Sequence, residues 1–75
     1  LFDARVYSWA TPYVNIREKP DLNSKDLGDI YPNTTVPIYE DLGTWYKLEH
    51  KHTLGFAMKK FLAKNTITGR SKSGN

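Results

Sequence analysis

Cysteine is absent from the 75 residues. That excludes disulfide staples, thiolate zinc sites and a thiol nucleophile. Histidine is scarce, with only His50 and His52, and no apolar run approaches the roughly 20 residues that a membrane span requires. Glycine is thin too. Gly28, Gly43 and Gly55 stand alone, so no glycine-rich loop is available to cradle a phosphate. Seventy-five residues leave room for one small domain, without the elaborate site of a self-contained enzyme. A chain that opens on leucine, with no secretory leader, is expected to be a piece of a larger protein.

Acidic charge is missing from the last twelve residues, KNTITGRSKSGN, which carry Lys64, Arg70 and Lys72. The whole chain has eleven Lys and Arg against eight Asp and Glu, a formal charge of +3. Subtracting the three basic residues of 64–75 leaves eight of each sign in 1–63. The body of the domain is neutral, and its charges alternate, as in Arg17-Glu18-Lys19 and Lys25-Asp26. Binding to a phosphate backbone needs clustered positive charge, so no nucleic-acid partner is expected. Residues 64–75, rich in Ser, Gly, Asn and Thr, read as a basic flexible linker or tail.

What the chain does contain is short alternating segments of strand period, and no helical one. Val14 and Ile16 alternate with Asn15 and Arg17, Val36 and Ile38 with Thr35 and Pro37, Tyr46 and Leu48 with Trp45 and Lys47. Ser24–Ile30 is a weaker strand, apolar at Leu27 and Ile30, and Leu54–Met58 is the last. Breakers at Pro20–Ser24, Pro32-Asn33, Asp41–Thr44 and Lys51–Thr53 space the strands as in a small all-β barrel or sandwich. Lys59–Leu62 can form one helical turn at the barrel end. Pro37 lacks a ladder amide and predicts an edge or a bulge. The expected core is Val6, Val14, Ile16, Leu27, Val36, Ile38, Tyr46, Leu48, Ala57 and Leu62.

Ten residues are aromatic. Trp9, Tyr13, Tyr31, Tyr39, Trp45, Phe56 and Phe61 are more rings than such a core can hide, so some lie on the surface as binding candidates. If Tyr46 and Leu48 face the core, Trp45 faces out. Asn15 and Arg17 likewise point away from Val14 and Ile16, offering an amide and a guanidinium. Arg17 is either a ligand contact or half of a structural ion pair, and Trp45 and Phe61 alternatively cap the core.

Other chemistry is poorly supported. His50 and His52 form an H-x-H at a strand end, with both imidazoles on one face, but a metal needs a third ligand and only Glu49 or a distant carboxylate is at hand. Two solvated histidines are the simpler reading, and no metal or cofactor is expected. Nothing pairs Ser8 or Ser24 with a base, and Glu40-Asp41 read as turn residues. No catalytic residue is predicted.

The segment Val14–Pro20, VNIREKP, resembles the opening of a bacterial SH3 domain. The likeness continues through the Ser-containing stretch Asn23–Ile30, the hairpin Thr34–Tyr39, Gly43-Thr44-Trp45-Tyr46-Lys47-Leu48, and the closing Leu54–Leu62. It covers roughly residues 4–63, with 1–3 as an N-terminal flank. The family commonly has glycine where this chain has Lys19, Asn33, Thr44 and Lys51-His52; Asn33 tolerates the glycine conformation, and the loops around Lys19, Thr44 and His52 are expected to differ. The resemblance implies an all-β, small SH3-like barrel of five to seven short antiparallel strands with one helical turn near the C-terminal end. It also brings Phe61 toward Val14–Pro20, so Tyr13, Asn15, Arg17, Trp45 and Phe61 form the candidate ligand-binding set. It further implies a non-catalytic, monomeric targeting domain of a secreted or cell-wall-associated bacterial protein. Such domains are typically appended to cell-wall hydrolases and bind a peptidoglycan stem peptide or cross-bridge. The alternative is a protein-interaction module for a proline-rich or extended peptide.

Overall fold

A computed structural model describes residues 1–65. Its strands are β1 (Phe2–Val6), β2 (Val14–Arg17), β3 (Asp26–Ile30), β4 (Thr35–Asp41), β5 (Trp45–His50), β6 (Thr53–Met58) and β7 (Leu62–Lys64). One 3-10 turn, Lys59–Phe61, joins β6 to β7. Every pairing is antiparallel, in the order β3-β2-β6-β5-β4-β1-β7. This is the small SH3-like barrel with its single helical turn. Strands run from Phe2 to Lys64, wider than the 4–63 boundary read from the sequence. The linker reading of 64–75 falls, beyond Asn65, outside the described residues.

The alternation sorts the side chains as the strand period demands. Val36, Ile38, Tyr46, Leu48 and Ala57 are buried, while Thr35 and Pro37 face solvent. Every residue read as core is buried except Leu27, which is 36% exposed. Its place is taken by Ile30, together with Ala4 and Ala10. The reason lies in the β2–β3 register: Ile16 pairs with Gly28 but Arg17 pairs with Asp26. Leu27 is the extra residue of a β-bulge, which breaks the period-two rule at that point.

A second bulge lies in β4, where Ile38 pairs with Leu48 and Glu40 with Lys47, leaving Tyr39 over. Pro37 is not the bulged residue, nor is β4 an edge: Pro37 pairs with Asp3 of β1. At the β5–β6 turn, His50 pairs with Thr53, and both intervening residues have positive φ, Lys51 at 50° and His52 at 66°. This is the backbone hand that two-residue hairpins require, adopted without the usual Asn-Gly. The H-x-H spacing therefore does not put two imidazoles on one strand face, because β5 ends at His50 and His52 belongs to the turn. In the β4–β5 turn the left-handed position falls on Gly43, at φ 93°, which relieves Thr44 of it.

Gly55 brings the two halves of the barrel together. A Cβ at this buried position would lie 2.6 Å from the Arg17 carbonyl oxygen and 2.6 Å from Ile16 Cγ2. Only glycine lets β6 approach the β2 backbone so closely. The obstacle is main chain, which cannot swing aside. Gly55→Ala is expected to cost about 1–3 kcal/mol of stability through overpacking. Equilibrium urea unfolding checks this, and an unchanged midpoint contradicts the close approach.

Candidate functional site

The β2–β6 approach sets the outward faces of β2 and β5 on either side of β6. Asn15 and Arg17 project from β2. Trp45 projects from β5, paired with Met58 of β6. Phe61 arrives from the 3-10 turn, and its carbonyl accepts a hydrogen bond from the Tyr7 N–H at 3.0 Å. Around them opens a shallow cavity of about 180 Å³ lined by Tyr13, Val14, Asn15, Arg17, Leu22, Trp45, Met58 and Phe61. All five residues in the candidate ligand-binding set are thus brought together. Leu22 and Met58 were not foreseen. Met58 shares its outward parity with Phe56, and Leu22 is the lone apolar residue of the Pro20–Ser24 loop, which are the signals that could have found them.

Each wall is held by its own network. Arg17 Nη1 donates to the Ser24 carbonyl at 3.0 Å, so the guanidinium ties β2 to the loop that carries Leu22. The loop is organised by Ser24: its N–H and hydroxyl both bond to the Asp21 carbonyl, at 3.0 and 2.7 Å, and its Oγ accepts from the Lys19 N–H. Asp21 Oδ1 caps the Asn23 N–H. On the opposite wall, Asp41 Oδ1 accepts the Gly43 N–H at 2.9 Å and Oδ2 pairs with Lys59 Nζ at 2.9 Å. The Gly43 amide and Lys59 together hold the Asp41 carboxyl below its ordinary pKa, and Asp41 raises that of Lys59. With the Lys59 N–H on the Thr44 carbonyl, these contacts fasten the start of β5 to the turn that presents Phe61.

The electrostatics are one-sided. Among the described residues, Arg17 is the only charged one lining the cavity. It forms no ion pair among the described residues, and apart from the Ser24 contact its guanidinium fork is open. The site therefore offers a cation without a matching acid, between rings. Asn15 adds an unusual feature, since its Oδ1 is buried and accepts no hydrogen bond from the protein. A volume below the roughly 300–1,000 Å³ of small-molecule pockets suits one or two side chains of a larger ligand.

The second cavity is bordered by Thr35, Val36, Pro37, Glu49, His50, Lys51 and His52. There Glu49 accepts a hydrogen bond from the Tyr39 hydroxyl at 2.7 Å, raising the Tyr39 pKa. Burial, then the charge of Lys51, lowers that of His50. Among the described residues no group of three or more His, Cys, Asp or Glu could hold a metal.

A seven-stranded antiparallel barrel with a shallow, ring-lined depression has the architecture of a small β-barrel binding module. Residues 12–63 match the bacterial SH3 domain family, and the chain belongs to it. A comparison with curated proteins finds no match.

A buried oxygen that no protein donor satisfies costs up to about 3 kcal/mol. Asn15→Leu, close to it in shape, is therefore expected to leave stability unchanged or raise it by about 1 kcal/mol. Ligand affinity should fall at the same time. Thermal unfolding and a binding titration on the same variant read both quantities. A destabilisation would mean that the amide serves the fold and not a ligand.

Proposed function

We propose that the domain is a non-catalytic targeting module that binds peptide segments of bacterial peptidoglycan, a stem peptide or a cross-bridge. Its parent is a secreted or wall-associated protein, such as a cell-wall hydrolase. The observation that carries this reading is the cavity that joins Trp45, Phe61 and Tyr13 to Arg17 and Asn15, with no acidic residue in its lining among the described residues. Peptides with free or side-chain carboxylates complement that charge, while the rings take their apolar side chains. The Asn15 amide in the same wall adds a polar group for a peptide backbone. Binding of this kind does no chemistry. It keeps a tethered partner domain at high effective concentration on a polymeric substrate, so modest affinity suffices.

Co-sedimentation of the labelled domain with purified peptidoglycan tests the reading. Wild-type protein is expected to be retained, and Trp45→Ala to weaken retention by about thirtyfold, as for a central aromatic anchor. A proline-rich peptide should not compete. No retention by walls of several chemotypes, with the fold intact, would falsify the reading. Competition by that peptide would favour a protein-interaction module instead.

A further inference from the structure

Trp9 is the most exposed large ring of the described residues, at 59%, and it is also firmly supported. One face of its indole stacks on Tyr7, with centroids 5.1 Å apart and planes 17° from parallel. Tyr7 in turn packs against the core. The loop beneath is pinned by buried Ala10, whose N–H donates to the Tyr7 carbonyl at 3.1 Å. Phe61 leans on Trp9 at 6.0 Å and 56° and also lines the cavity described above, so the two features are continuous. Lys60 Nζ lies over the Phe61 ring at 5.2 Å, which leaves Trp9 as the open aromatic face at this end.

We propose that Trp9 is the platform of a second subsite, which stacks the pyranose ring of the wall's amino-sugar chain next to the bound peptide. The inference rests on the peptidoglycan reading of the neighbouring cavity. Three observations select a sugar. First, Trp9 stacks one indole face on Tyr7 and stands exposed, so it offers a single flat face and not a slot. A proline ring clasped between two aromatics needs about 7 Å, two van der Waals layers, and the Trp9 and Phe61 centroids are only 6.0 Å apart. Second, the segment Val6–Ile16 contains no charged residue in a chain that is 25% charged. A segment without charge matches a neutral ring, and with Lys60 held over Phe61 a nucleic-acid base would find no cluster of phosphate contacts. Third, hydroxyls on Tyr7, Ser8, Thr11 and Tyr13 surround the indole in sequence, and the polar rim of a pyranose needs such partners once its C–H face lies on a ring.

The test compares three probes by titration calorimetry: a stem peptide, the same peptide carrying its N-acetylated disaccharide, and the free disaccharide. With wild-type protein the disaccharide-bearing peptide is expected to bind about tenfold tighter than the peptide alone. Trp9→Ala should abolish that gain and leave the affinity for the bare peptide unchanged, while Trp9→Tyr restores part of it. Equal affinities of wild-type protein for the two peptides would overturn the second subsite and leave peptide targeting standing. So would a Trp9→Ala loss of the same factor on both. If the bare peptide fails to bind at all, peptide targeting falls. A Trp9-dependent response to the free disaccharide then upholds the platform, and no response overturns it as well.

Discussion

The contact between Gly55 and the β2 backbone is the constraint on which the arrangement depends. β6 is the strand through which the two halves of the sheet meet, and its only register pair with β2 is Phe56 with Arg17. A side chain one residue earlier would force the strands apart. Because the approach is tight, Arg17 and Asn15 on one strand and Trp45 on another stand around a common depression. The site is thus a consequence of barrel closure, made from outward positions that the core leaves over.

Closure alone would not keep such a depression in shape, since its walls include loop and turn residues. The Ser24-centred network fixes the β2–β3 loop, with the Arg17 guanidinium as its strut. The Asp41–Lys59 pair joins the β4–β5 turn to the 3-10 turn. This pair is exposed, and its value lies more in geometry than in stability. Arg17 has a double part, bracing a loop through one N–H while presenting the rest of its fork to the cavity. Rings continue from that cavity through Phe61 to Trp9, so the aromatic surface extends beyond the depression itself.

Much of this was legible in the sequence, because strand parity is a simple rule where pairing is regular. Val14/Ile16, Val36/Ile38 and Tyr46/Leu48 could be placed inside, and that placement forced Asn15, Arg17 and Trp45 outward. Parity fails where a strand gains a residue. Leu27 and Tyr39 are each the extra residue of a bulge, and no local signal marks them. The strands β1 and β7 went unread because they are held by pairing with each other and with β4 more than by any pattern of their own. His52 was misplaced because a two-residue hairpin normally announces itself with Asn or Gly, and Lys51-His52 adopts the same backbone without them. Leu22 and Met58 carried only weak signals, a lone apolar loop position and an outward parity, and tertiary placement brings both to the cavity.

Family membership and a ring-lined depression with Arg17 in its wall both support a binding module. The central claim is that this depression, and not the histidine hairpin, is the ligand surface. It is tested most directly by nuclear magnetic resonance titration of the isotope-labelled domain with a soluble peptidoglycan stem peptide. The account predicts that shift changes concentrate on Asn15, Arg17, Leu22, Phe61 and the Trp45 indole N–H. Changes centred on Thr35, Pro37 and His50–His52, with Trp45 and Arg17 silent, would contradict it.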